Sequence, residues 1–107
     1  MKSKENKSVF LEFFGESPNS KIIDFLIGYH MFGYPLTEIA KNSRVSYSTL
    51  QTFWEKLEKN SIVIKTRRVG KSNLYKLNIE NPAVQQLIRL DWVLTKKAIM
   101  PEQEAVA

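Results

Sequence analysis

The chain has no cysteine. That absence excludes a disulfide framework, a thiolate zinc site and a cysteine nucleophile, and it fits a reducing, cytoplasmic setting. There is a single histidine, His30, with no second histidine to share a metal, so it reads as a surface or packing residue and no metal site is expected. No apolar run approaches the roughly 20 residues that a bilayer demands. The longest, "FLIGYHMFGY", falls well short, and the opening "MKSKENKS" is charged. A soluble, unexported protein without a membrane partner is therefore expected. Paired carboxylates are also missing from the linear pattern: Asp24, Asp91 and the spaced Glu residues suggest no acid/base couple. "VGKSN" lacks the remaining glycines of a phosphate-binding loop, and the serines have no histidine nearby in sequence. An enzyme is not expected, and no cofactor is implied. Acidic residues are outnumbered, 11 against 16 Lys and Arg, leaving a formal charge of +5; such a balance favours an anionic partner such as nucleic acid.

What is present suits one small domain. At 107 residues and 43% hydrophobic content, the chain can bury one core but is too short for two ordinary domains. Residues 1–8 read as a flexible tail, 9–80 as the main domain, 81–100 as a C-terminal helix and 101–107 as a frayed end. "VFLEFF" is a compact apolar cluster, helix or strand. Ser17 is a fitting N-cap and Pro18 a fitting first residue for a helix that buries Ile22, Ile23, Leu26, Ile27 and Tyr29 and stops at Gly33–Pro35. Gly28 inside that helix implies close packing at that point. A short helix follows in "PLTEIAKNSR", with Leu36, Ile39 and Ala40 inward. Ser46 then caps a third helix whose apolar residues Leu50, Phe53, Trp54 and Leu57 keep the i, i+3, i+4, i+7 spacing. "SIVIKTRRV", the turn signal "GKSN" and "LYKL" make a hairpin in which five Lys or Arg lie between Lys65 and Lys76 with no acidic residue among them. Asn81 and Pro82 open the last helix.

Helix, short helix, break, longer helix and basic hairpin is the order of a winged helix-turn-helix: mainly α, with a three-helix core, a two-stranded wing and a C-terminal dimerisation helix. Ala40 provides the small crossing residue, and Val45 and Leu50 the buried residues beyond the turn. Arg44 stands where such turns often hold a glycine, which leaves the turn geometry open. The stretches "TEIA", "VSYSTL", "TRRVGKSNLYKLN" and "ENPAV", in this order, resemble the winged-helix transcriptional regulators common in archaea, distant relatives of arsenic-repressor-like and MarR-like repressors. The match spans roughly residues 13–94. The resemblance implies double-stranded DNA binding through the third helix and the wing, as a homodimer.

Carried onto this sequence, the recognition helix is about 46–59 and the wing about 62–77. Ser46, Tyr47, Ser48, Gln51, Thr52 and Lys56 fall on the exposed part of the former. Gln51 is the base reader, able to pair with adenine N6 and N7, and short hydroxyls at a helix N-terminus suit phosphate oxygens. In the wing, Arg67, Arg68, Lys71, Ser72 and Asn73 are the expected DNA contacts. Ala83, Val84, Leu87, Ile88, Leu90, Trp92 and Leu94 make an apolar stripe wider than a small core needs and are the expected dimer interface. The plainer alternatives are a solvated basic face, a serine-rich cap, and Trp54 and Trp92 as core or interface aromatics instead of pocket walls. Two functional alternatives stand beside gene regulation: a winged-helix module for protein contacts within transcription or replication machinery, and an initiator-like DNA binder. The sequence identifies no small-molecule effector.

Overall fold

A computed structural model describes residues 7–100. Within them the order is α1 (Val9–Phe14), α2 (Pro18–Gly28), α3 (Leu36–Ser43), α4 (Tyr47–Lys59), β1 (Val63–Val69), β2 (Ser72–Leu77) and α5 (Pro82–Ile99). The fold is mainly helical with one antiparallel two-stranded hairpin. The frayed end expected at 101–107 and most of the expected tail lie outside the described residues. Ser8, assigned to that tail, instead caps α1: its Oγ accepts the Leu11 N–H at 3.1 Å and donates to Asp24 at 2.6 Å.

The core draws one fully buried side chain from each of five elements: Ile22 from α2, Ile39 from α3, Leu50 from α4, Leu77 from β2 and Val84 from α5. Phe10 closes it from α1, and Trp54 and Leu57 complete the α4 contribution. Apolar burial is roughly proportional to the area removed from water, so these residues hold the elements together while the exposed faces are left to serve other ends.

Helix starts follow local chemistry. Ser17, Ser46 and Asn81 cap α2, α4 and α5, accepting from Ser20, Thr49 and Ala83 respectively, each satisfying a donor that the helix cannot. Helix ends depart from the sequence reading. α2 stops at Gly28, five residues before Gly33, and Tyr29 is its C-cap. Tyr29, expected in the buried stripe, is 54% exposed; its ring stacks on Phe25 with centroids 4.8 Å apart. Gly28 has open space where a side chain would be. The close approach is at Gly33, where an added Cβ would lie 2.7 Å from Thr66 Oγ1 and 3.1 Å from Leu74 Cβ. The loop after α2 is thereby pressed against the hairpin, and Tyr34 and Tyr75 exchange two backbone hydrogen bonds of 2.9 Å.

Candidate nucleic-acid interface

The turn between α3 and α4 sets the angle at which α4 is presented. Arg44 closes α3 in the left-handed conformation, φ 63° and ψ 42°, which answers the open question of the turn. The Val45 N–H donates to the Ala40 carbonyl at 3.1 Å, and Lys21 Nζ donates to the Arg44 carbonyl at 3.5 Å. α4 then buries Leu50, Trp54 and Leu57. Trp54 meets Tyr75 of the hairpin edge to face at 5.6 Å, and its indole N–H is buried without a hydrogen-bond partner.

That commitment leaves Tyr47, Ser48, Gln51, Thr52 and Lys56 exposed. The hydroxyls are not equally available. Ser46 Oγ accepts the Thr49 N–H at 3.1 Å and donates to Thr49 Oγ1 at 2.8 Å, so its side chain serves the cap. Thr52 Oγ1 donates to the Ser48 carbonyl at 3.2 Å. On a helix, residues four apart share a face. Tyr47 and Gln51 therefore form one row, and Ser48, Thr52 and Lys56 the next. The first row continues into exposed Glu55 and Glu58, which restricts contact with a polyanion along that row to the first two turns, whereas the second row ends on a cation.

The hairpin is tighter than the sequence reading had it. Val69 pairs with Ser72, so the turn is Gly70–Lys71 alone, while Ser72 and Asn73 belong to β2. Gly70 has φ 61° and Lys71 has no positive φ, a requirement at the first central residue that matches a type II′ turn. A bulge at Thr66 breaks the register between Lys65 and Arg67. Cross-strand partners share a face; Lys65 and Arg68 accordingly lie on the Tyr75 and Asn73 face, and Arg67 on the Leu74 face. Without the extra residue Lys65 and Arg67 would share one side. The bulge thus exchanges Arg67 and Arg68 between the two faces, placing Arg67 with Lys76 and Arg68 with Lys65. Arg68 Nε donates to the Gly70 carbonyl at 3.1 Å, which holds that guanidinium at the tip. Lys7 pairs with Glu16 at 2.9 Å, whereas none of the five cations of the hairpin forms an ion pair among the described residues.

Tyr47, Ser72 and Asn73 come together around one groove, joined by Pro35, Thr37 and Tyr75. Thr52 and Lys56 line a separate shallow groove with Asn19. The sequence reading missed Thr37 and the start of α3. Pro35 occupies the N-cap there, and no side chain caps the helix; a proline at that position, unable to supply a side-chain acceptor, was the available signal. It also missed Asp24 and Asp91, which the fold brings together across α2 and α5. Burial first, and then the Asp24 charge, push the Asp91 carboxyl above its ordinary range.

The expected dimer stripe divides. Val84 is completely enclosed in the chain's own core and cannot serve a second copy. Leu87 and Ile88 are partly buried against that core. Leu90 and Trp92 are exposed, as are Val93, Ile99 and Met100, which the stripe did not include. Ala83 is exposed and Leu94 half-buried. Among the described residues no helix is long and apolar enough to cross a membrane. Set against family models, curated proteins and solved structures, the chain finds no match in any of the three, so the reading of its surface rests on its own geometry.

Proposed function

We propose that the protein is a sequence-specific double-stranded DNA-binding regulator of winged helix-turn-helix type, acting as a homodimer, with α4 in the major groove and the hairpin as wing. The observation that carries this is the pairing of an exposed, acid-free start of α4 with a neighbouring hairpin whose cations form no ion pair among the described residues. A helix admitted to the major groove needs its outward residues free and its core residues fixed by a supporting helix. Gln51 reads a base edge; Tyr47 and Ser48 meet phosphate or a thymine methyl. Arg67, Arg68 and Lys71 engage the flanking backbone or minor groove, and the uncapped N–H groups at the start of α3 beside Thr37 suit a further phosphate.

The exposed Glu55 and Glu58 on the same face of α4 favour a second reading, a module that meets protein instead of DNA. The two part company over the wing. Each neutralised phosphate contributes about −0.9 to the slope of log K against log salt, and a dimer doubles every contact. Replacing Arg68 and Lys71 together by alanine is therefore expected to flatten the slope by roughly three to four units and to weaken binding on every duplex while leaving base preference intact. Fluorescence anisotropy across a salt series checks it. Unchanged affinity and slope would put the protein-binding module ahead.

A further inference from the structure

Val63, Tyr75 and Leu77 turn one face of the hairpin towards the core. The outer face carries the cross-strand pairs Ile64–Lys76, Arg67–Leu74 and Val69–Ser72. The loop after α2 is drawn onto that outer face, since Gly33 lies against Leu74 Cβ and Thr66. Met31 and Phe32 directly precede Gly33 and are 70% and 66% exposed, and Ile64 and Val69 are exposed as well. Several bonds fix the loop. The His30 ring donates to the Ile27 carbonyl at 2.8 Å, the Phe32 N–H to the Tyr29 carbonyl at 3.3 Å, and Tyr34 pairs with Tyr75.

The charge on this surface has one sign. Two stretches build it, and no acidic residue occurs in either: none between Asp24 and Glu38, and none between Glu58 and Glu80. Arg67 and Lys76 stand beside its apolar side chains and form no ion pair among the described residues. Protruding apolar side chains next to unpaired cations combine the two attractions that hold a protein at a lipid surface, apolar insertion between headgroups and the pull of anionic lipid.

We propose that the outer face of the hairpin and the loop after α2 bind the surface of an anionic lipid bilayer, with Met31 and Phe32 entering the headgroup layer and Arg67 and Lys76 meeting lipid phosphates. Other occupants fit less well. A second copy brings Arg67 and Lys76 against their like. Duplex DNA offers phosphates to the cations but nothing to Met31 and Phe32. A folded acidic protein must match the shape of the protruding side chains, whereas a fluid interface takes them as they are. A surface contact requires no long apolar run, so the expectation of no membrane partner, which rests on the lack of one, does not bear on it. Arg67 is shared with the proposed DNA contacts, and the test therefore turns on residues outside them.

The test is co-flotation of the full chain with vesicles of phosphatidylglycerol and phosphatidylcholine in equal parts, beside vesicles of phosphatidylcholine alone and beside capture on immobilised poly(Glu,Tyr), an acidic polypeptide bearing aromatic rings. The expected result is binding to the mixed vesicles, weakened about tenfold by replacing Met31 and Phe32 together with serine and about fivefold by Lys76→Ala. Phe32→Trp should bind at least as well as the wild type, because an interface accepts an indole without a fitted pocket. Circular dichroism checks that the variants stay folded, as exposed substitutions do. No flotation, equal flotation with phosphatidylcholine alone, undiminished binding in the double serine variant or loss of binding in Phe32→Trp overturns the proposal. Capture on poly(Glu,Tyr) that depends on Phe32, without flotation, also overturns it and assigns the face to an acidic protein. Met31, Phe32 and Lys76 lie outside the proposed DNA contacts, so duplex affinity stays unchanged in these variants and failure here leaves the regulator reading standing.

Discussion

A non-glycine residue in the left-handed region carries about 1–3 kcal/mol of strain, and Arg44 accepts it at the turn that aims α4. Arg44→Gly should keep the turn and leave stability unchanged or raise it by up to about 1 kcal/mol, the relief being offset by greater freedom in the unfolded chain. Urea denaturation measures this, and a loss of more than about 1 kcal/mol would mean that the arginine side chain holds the turn. Gln51 poses a different question at the same scale. Its side chain is exposed on the row it shares with Tyr47, so for the proposed regulator alanine there should cost about 1–3 kcal/mol on the preferred duplex, relax preference at one or two base pairs and spare non-specific binding. Selection from random duplexes, compared between wild type and variant, reads this out. An equal loss on all sequences would make Gln51 a positioning residue.

Among the elements, the junction of α4 with α5 is tied by the Asn81 side chain at both ends. Asn81 Oδ1 accepts the Ala83 N–H at 2.8 Å, while its Nδ2 donates to the Ser61 carbonyl at 2.9 Å and the Asn60 carbonyl at 3.2 Å. Ser61 itself sits at φ 58°, and Asn78 Nδ2 also bonds its carbonyl at 3.0 Å. Asn81→Ala removes a cap and the bond to the Asn60 carbonyl together, while the Ser61 carbonyl keeps its bond from Asn78. A loss of about 1–3 kcal/mol is expected, against a few tenths for Asn81→Ala in a helix that merely frays; thermal melts distinguish them. What was legible here was local. Ser17, Ser46 and Asn81 announce helix starts because a cap is written within three residues, and the Leu50, Trp54, Leu57 spacing announces a buried face because a helix repeats within a turn. The close glycine was assigned to Gly28 and belongs to Gly33, because the atoms it must avoid are those of Thr66 and Leu74, remote in sequence. The bulge at Thr66 and the meeting of Asp24 with Asp91 were illegible for the same reason. Each is decided by register or packing between segments whose relative placement no local pattern encodes.

Across the whole molecule, α5 is the element least used by its own fold. Val84 is its one buried residue, whereas Leu90, Trp92 and Val93 are exposed. Phe13 and Phe14 of α1 are exposed as well. Large apolar side chains exposed on two helices that pack together suit an interaction surface, and for the proposed regulator the partner is a second copy, related by a two-fold axis that sets half-sites about 34 Å apart. Trp92→Glu should leave the monomer fold within about 0.5 kcal/mol, as exposed substitutions do, and abolish the dimer. Sedimentation equilibrium at tens of micromolar decides it: a wild type that is already monomeric removes the dimer from the model of action.

The placement of the two tryptophans has an optical consequence. Trp54 is 3% exposed and pressed against a tyrosine ring, and Trp92 is 60% exposed on α5. A buried indole emits towards the blue and a solvated one towards the red, so the protein's own emission is the sum of two separable signals. Retaining only Trp54 makes the spectrum a gauge of the core, and retaining only Trp92 makes it a gauge of whatever covers α5. Assembly and unfolding are then observable as two colours in one unlabelled chain.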